Sequence, residues 1–154
     1  MALNQYTTQS AWISSHINEA LQVSISTQDT WVSLAPDLTT HTQYNMSEAS
    51  GRFYQQLKGT YFLDCTFTSE DASNDTLAFR WVNYNSGTLT GSDAILRWDS
   101  KGGNRWAVNC NAIIQTWDVV DNDSSSFFGI QIKNIDSTDD IDIESMNVSI
   151  IKLY

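Results

Sequence analysis

The sequence predicts an all-β protein, an antiparallel β-sandwich of the jelly-roll type. In eight or nine short segments, apolar residues alternate with polar ones, which is the period of a strand with one buried face. Clusters of Asn, Ser, Gly and Asp separate these segments, as expected for tight turns. The 3.6-residue period of a helix is weak and occurs only around Ala11–Leu21. Short strands without a strong helix favour two packed antiparallel sheets.

Each predicted strand carries most of its large apolar side chains on one face. In Gly59–Thr68, for example, Tyr61, Leu63, Cys65 and Phe67 share a face, whereas Phe62 lies on the other face with polar residues. The longest segment, Asn104–Trp117, is typical of a jelly-roll strand that crosses the core. The patterns in Thr30–Ala35 and Arg52–Leu57 are weaker than the others. The predicted strands in chain order are Leu21–Ile25, Thr30–Ala35, Arg52–Leu57, Gly59–Thr68, Leu77–Tyr84, Ala94–Trp98, Asn104–Trp117, Phe127–Asn134 and Ser145–Leu153.

The chain is strongly acidic, with 18 acidic and 8 basic side chains and a formal net charge of −10. Binding to nucleic acid or to an anionic membrane needs basic surface, so the charge argues against both partners. No apolar run approaches the roughly 20 residues that span a bilayer. Eight acids crowd into Asp118–Glu144 against Lys133 alone, and no Lys or Arg precedes Arg52. We expect the acidic loops to face solvent and the first 51 residues to form the contact side.

No cofactor is predicted. Asp121 and Asp123 offer oxygen ligands that calcium accepts, and they are the one candidate for a cation site. Ser126 and Ile132 stand where an EF-hand loop needs Gly and Glu, so that pattern fails. Cys65 and Cys110, each on the apolar face of a predicted strand, are expected to be small buried side chains, with a bridge between neighbouring strands as the alternative.

Three short motifs resemble a known family. Phe53 followed by Leu57–Leu63 resembles the F…G-x-Y strand of the tumour-necrosis-factor (TNF) and complement-globular-head superfamily. Ser125–Ile130 resembles the S-x-F-x-G strand near the end of those domains, and Asn147–Leu153 resembles the last strand in phage versions of the fold. The resemblance extends from about Leu21 to Tyr154. It implies a jelly roll of which three copies pack round a threefold axis.

The many aromatic side chains fit such an assembly, because a chain of this size has limited interior for six Trp, six Tyr and six Phe. Tyr61 and Phe128 are the rings expected at the trimer axis. The rings expected in the core are Phe67, Phe79, Trp81 and Trp106.

Residues 1–18 are interpreted as an N-terminal arm and residues 19–154 as the jelly-roll domain. The arm is mostly polar and has no Asp, Glu, Lys or Arg. Its apolar side chains Leu3, Tyr6, Trp12 and Ile13 would bind a partner surface such as a capsid. The alternative is a flexible tail or an added edge strand.

Catalysis is not expected. The chain has no G-x-S-x-G, H-E-x-x-H or phosphate-cradling glycine loop. Acid pairs such as Asp139/Asp140 and Asp142/Glu144 stand among other carboxylates, where solvated loops are more typical than a catalytic cleft.

These observations lead to a functional hypothesis. The protein is expected to be a homotrimeric phage structural protein on the capsid surface, where it decorates or cements the head by binding the major capsid protein or another virion protein. One alternative is the receptor-binding head of a fibre or spike, in which rings such as Trp98 and Trp117 stack on host glycans. A cellular carbohydrate-binding lectin domain is a more distant alternative.

Overall fold

The computed structural model describes residues 10–17, 19–71, 75–85, 88–99, 104–116 and 126–154. Within these ranges the chain forms twelve β-strands and no helix, which confirms the predicted all-β class. No helix in these ranges is therefore long and apolar enough to cross a membrane. The strands are β1 Trp12–Ile17, β2 Leu21–Val23, β3 Val32–Ser33, β4 Leu38–Tyr44, β5 Met46–Ala49, β6 Arg52–Gln55, β7 Gly59–Asp71, β8 Thr76–Asn85, β9 Thr88–Asp99, β10 Asn104–Thr116, β11 Phe127–Asn134 and β12 Ile141–Lys152.

The strands form two antiparallel sheets of six strands each. Sheet A has the order β10-β7-β12-β1-β4, with β2 beside β12. Sheet B has the order β5-β6-β11-β8-β9, with β3 beside β11. Because neighbours such as β1 and β12 are far apart in the chain, the pairing is non-local, and the sheets pack face to face as the sandwich of a jelly roll.

The core lies between the inner faces of the sheets. Phe67 of sheet A packs on Phe79 of sheet B with ring centroids 4.5 Å apart, and both side chains are fully buried. Trp81 is also fully buried, and its Nε1 donates a hydrogen bond of 2.9 Å to the Cys110 carbonyl oxygen of the other sheet. This places Phe67, Phe79 and Trp81 in the core as predicted. The side chain of Trp106 lies outside the described residues.

The predicted segments match observed strands, and three further strands were missed. Strand β1 falls in the segment with weak helical periodicity. Strands β4 and β5 have few buried side chains and many polar ones, so they lack an alternating apolar pattern. Ile17 and Met46 are nevertheless buried in the core.

The predicted boundary between arm and domain is wrong, because β1 begins at Trp12. It pairs with β12 on one side and β4 on the other, so residues 12–17 lie inside sheet A and are not an edge strand. The side chains of β1 alternate between the core and the outer face. Residues 1–9 and 18 lie outside the described residues.

A buried polar network fixes the turn between β11 and β12. The Nδ2 of Asn134, a side chain with no exposure, donates to Asp75 Oδ2 at 2.7 Å and to Ser137 Oγ at 3.0 Å. Its Oδ1 accepts from the backbone N–H groups of Asp136 and Ser137, at 3.1 Å each. The amide group thus replaces backbone partners that the turn itself does not supply.

Cys65 of β7 and Cys110 of β10 lie directly opposite each other and are free, buried thiols. They are the small buried side chains that the alternating pattern predicted. Burial raises the pKa of Cys65 well above its usual value, and Cys110 and Asp64 raise it further. Burial, with a contribution from Asp64, raises the pKa of Cys110 to about 11.

We therefore expect the free energy of unfolding to fall as the pH rises from 9 to 11. The thiol of an unfolded chain loses its proton near 9.0, whereas folded Cys110 keeps its proton up to about 11, so the unfolded state binds fewer protons in this window. The slope is about 1.4 kcal/mol per pH unit for one thiol. Urea unfolding of reduced protein at pH 8, 9, 10 and 11 measures it, and Cys110→Ala should have the shallower slope. Equal slopes for the two proteins would contradict the assignment.

Candidate functional site

The outer face of sheet A has one row of large apolar side chains at the same register on every long strand. Ile113 of β10 pairs with Phe62 of β7, and Phe62 pairs with Ile151 of β12. Ile151 pairs with Trp12 of β1, which pairs with Tyr44 of β4. We call these five residues the apolar row. It crosses the whole width of the sheet at one end of the sandwich.

The apolar row is open to solvent in the single chain. Ile113 is 60% exposed, Ile151 50%, Tyr44 52% and Trp12 41%, while Phe62 is half-buried. The Trp12 and Tyr44 rings stack with centroids 4.9 Å apart. The remaining exposed large hydrophobic side chains of the described residues, Leu153 and Tyr154, follow β12 at the same end of the sheet. Sheet B has no such side chain among its described positions.

The rest of this face is polar, and several of its side chains form hydrogen bonds with one another. The neighbouring row consists of Asn111, Asp64, Ser149, Ser14 and Thr42. Asn109 Nδ2 donates to Asp64 Oδ1 at 2.8 Å and to Thr66 Oγ1 at 2.9 Å. A β-bulge at Ser14/Ser15 leaves His41 without a register partner, and its ring stacks on His16 at 4.4 Å. The apolar row is therefore distinct from its surroundings, as an interface patch is.

Tyr61 and Phe128 lie inside the chain and not on its surface, so the prediction that they contact other chains at a trimer axis is wrong. Both side chains have no exposure and pack on each other inside the sandwich, with ring centroids 5.2 Å apart. The Tyr61 hydroxyl donates to the Leu57 carbonyl oxygen at 2.5 Å. Alternation identifies which residues share a face, but it does not identify which face points outward.

The structure separates the four residues predicted to contact a capsid. Ile13 is buried in the core at 1% exposure, so it cannot contact a partner, and that part of the prediction is wrong. Trp12 is exposed but belongs to the apolar row rather than to an arm. Leu3 and Tyr6 lie outside the described residues.

The candidate calcium ligands Asp121 and Asp123, and the side chains of Trp98 and Trp117, also lie outside the described part of the chain. Within that part, no group of three or more His, Cys, Asp or Glu side chains is placed to hold a metal ion. Asp139, Asp140 and Asp142 are exposed, as expected for solvated acids. Asp140 Oδ1 accepts a hydrogen bond from the backbone N–H of Ile25 at 2.9 Å, and Asp142 Oδ1 accepts one from Gln22 Nε2 at 3.0 Å.

Four of the five residues of the apolar row belong to a sequence pattern that could have identified them, a pair of adjacent large apolar residues within a strand. Four strands of sheet A have two adjacent large apolar residues, which breaks the alternation expected of a strand with one solvent-exposed face. These doublets are Trp12-Ile13, Tyr61-Phe62, Ile113-Ile114 and Ile150-Ile151. In each doublet one residue points into the core and the other belongs to the apolar row.

Neither a protein-family model nor a curated protein sequence matches the chain. Solved structures do. Murine APRIL in a crystal structure at pH 5.0 has a TM-score of 0.62 over 94% of this chain and 100% of that one, at 7% identity. Eiger TNF from S. frugiperda has a TM-score of 0.59 over 94% of each chain, at 12% identity. PRD1 vertex protein P5 has a TM-score of 0.61 over 94% of this chain and 97% of that one, at 9% identity.

These similarities show that the fold is a TNF-like jelly roll, as the sequence motifs indicated. The motif residues have clear places in it. Phe53 and Tyr61 fill the core, and the motif Asn147–Leu153 covers the second half of β12 and the residue after it.

The placement of β1 predicts different costs for substitutions on its two faces. Ile13→Ala should lower the free energy of unfolding by about 2–5 kcal/mol, because it leaves a cavity in the core. Ser14→Ala, on the outer face of the same strand, should change it by less than about 0.5 kcal/mol. Chemical denaturation of both variants measures the difference. Similar small effects for the two would show that β1 is not an integral strand.

Proposed function

We propose that the protein is a non-enzymatic structural protein of a phage particle, which assembles as a homotrimer and decorates or cements the capsid surface. The observation that carries the proposal is the apolar row. A contiguous apolar patch on a sheet face is stabilised when another protein surface covers it. Aromatic side chains are enriched in such contacts, and charged ones are depleted at their centre.

Charge favours a second copy of the same chain as the partner for the apolar row. Copies that each carry a net charge of −10 repel one another, so they associate best through surface without acidic groups. The apolar row has no charged side chain. The acidic turn at residues 136–142 is at the opposite end of β12, roughly 33 Å along the strand from Ile151. The threefold arrangement is the one that the family resemblance implies.

Two further observations support a place on a virion. The fold is similar to that of a vertex protein of the phage PRD1, although 9% identity limits the comparison to the fold. The closing strand also resembles that of phage versions of this superfamily. The proposed partner is the major capsid protein or another virion protein, with Leu3 and Tyr6 as the contact residues.

The exposure of the carboxylates in the acidic turn supports a role without catalysis at this turn. A glycosidase needs a carboxyl group whose pKa burial has raised, opposite a second one across a cleft. Asp139, Asp140 and Asp142 are instead exposed, and two of them are hydrogen-bonded to neighbouring segments.

Substitution in the middle of the apolar row should dissociate the assembly. Light scattering of the wild-type protein should give three times 17.3 kDa, the mass of one chain. Ile151→Glu places a charge in the proposed contact, so the variant should have the mass of a single chain. Ala49→Glu, which adds the same charge at an exposed position of sheet B, should leave the trimer intact. A monomeric wild-type protein would refute the trimer.

Removal of the N-terminal segment should abolish binding to the particle but keep the trimer. The deletion must end at residue 9, because Ala11 is buried and its carbonyl oxygen accepts the backbone N–H of Lys152 at 2.8 Å. Rebinding to particles stripped of this protein measures the effect. Leu3→Ala/Tyr6→Ala should reproduce it, whereas Gln5→Ala/Gln9→Ala should bind normally.

Unchanged binding by the truncated protein would contradict an anchoring role for this segment. If the protein does not bind stripped particles but binds host cells and inhibits infection, it is instead a receptor-binding head.

A further inference from the structure

The outer face of sheet B, on the opposite side of the molecule from the apolar row, contains a pocket of about 330 Å³. Its floor lies where Gly129 of β11 pairs with Val82 of β8. A Cβ atom on Gly129 would lie 3.5 Å from Val82 and 3.9 Å from Phe127, which are ordinary van der Waals distances. The φ angle of Gly129 is not positive either. The fold therefore tolerates a side chain at this position, and the absence of one leaves the pocket open.

The walls of the pocket are held by hydrogen bonds and close packing. The backbone N–H of Leu34 donates to the Ile130 carbonyl oxygen at 2.9 Å. Gly51, with φ +73°, packs so closely that a Cβ there would lie 2.6 Å from the Leu34 carbonyl oxygen. Its N–H donates to Glu48 Oε1 at 2.8 Å. A pocket with fixed walls loses little entropy when a ligand binds.

A chain of contacts turns the hydroxyl groups near the pocket into donors. Arg80 donates from Nε and Nη2 to Gln131 Oε1, at 2.9 and 2.7 Å, which fixes the orientation of that amide. Gln131 Nε2 then donates to Ser33 Oγ and Tyr84 Oη, at 3.3 Å each. Each hydroxyl oxygen accepts a hydrogen bond from the amide, so each hydroxyl proton is free to point elsewhere. Ser33 and Tyr84 line the pocket and can donate these protons to a ligand.

Arg52 adds a positive charge at the same pocket. Its guanidinium lies 5.1 Å from the centroid of the Phe127 ring. It forms no ion pair with any residue in the described ranges. An unpaired guanidinium binds a carboxylate through two parallel hydrogen bonds. In a chain of net charge −10, such a group is a local attractor for an anion.

We propose that this pocket binds the carboxylate-bearing ring of an acidic sugar. Arg52 pairs with the carboxylate, the Ser33 and Tyr84 hydroxyls donate to ring or hydroxyl oxygens, and the apolar walls contact the C–H face of the ring. The volume is near the lower end for ligand pockets, about 300–1,000 Å³, which suits one sugar ring. The pocket faces away from sheet A, so ligand binding there requires neither the proposed trimer nor a place in a virion.

Amide and side-chain NMR of the full-length ¹⁵N-labelled protein tests the proposal. The probes are 3′-sialyllactose, galacturonate and ketodeoxyoctonate, with lactose as the neutral control and inorganic phosphate as the simple anion. At least one acidic sugar should shift the signals of Gly129, Ser33 and Arg52, and should bind at least about tenfold more tightly than lactose, the ratio expected from a charge-assisted hydrogen bond.

Three variants locate the site. Arg52→Gln should weaken binding by about tenfold or more, and Gly129→Leu should abolish it by filling the pocket. Lys133→Gln removes an equal charge from the same face, at a residue that pairs with Asp29 and does not line the pocket, and should change affinity by less than about twofold. Thermal unfolding checks that each variant folds. If Gly129→Leu does not fold, Arg52→Gln alone decides.

The proposal is overturned if none of the three acidic sugars shifts the pocket signals, or if lactose binds as well as they do. It is also overturned if folded Gly129→Leu keeps full affinity, or if phosphate binds more tightly and shifts the same signals, which would indicate a general anion site.

Discussion

The pairing register of sheet A is the constraint on which the rest of the structure depends. Strand β7 pairs with β10 from Gly59 to Asp71 and with β12 along most of its length. A slip of one residue in β7 would turn Asp64 into the core and Tyr61 out to solvent. The register that fills the interior is therefore also the register that lines up Phe62 and Ile151 on the outside. The same pairing register of the strands thus determines both the packing of the core and the composition of the outer surface.

Much of the fold was predictable because most strands have one buried face. In β7, β8, β10, β11 and β12 the alternation of apolar and polar side chains marks both the strand and its core residues. Strand β4 was missed for a physical reason. It is an edge strand with mostly exposed side chains, and it is defined by its backbone hydrogen bonds to β1. Backbone hydrogen bonds of this kind produce no recognisable pattern of side chains in the sequence. Strand β1 was missed because Trp12 and Ile13 together disturb the two-residue period.

The candidate site was less predictable than the fold. Aromatic side chains such as Tyr61 and Phe128 carry the same chemical signal whether they fill a core or an interface, and only the packing of the second sheet distinguishes the two cases. The apolar doublets of sheet A contain better information, since a strand with only one buried face would have a polar residue in place of the outward-facing member of each doublet. Their alignment into one row still needs the pairing register. The pocket of sheet B is formed by segments distant in sequence, and the sequence motif that contains Gly129 does not indicate a cavity.

The position of the pocket on the sheet opposite the apolar row has a consequence for binding strength. Three chains joined through sheet A would carry three identical pockets on one rigid body, all on its outer surface. A single sugar ring in a small pocket binds weakly, but a host surface presents many copies of each sugar. Simultaneous occupation of two or three pockets would raise the overall avidity by about 10²–10⁴ without any new contact. A glycan preference of this protein would then depend on the spacing of sugars on the surface as much as on their chemistry.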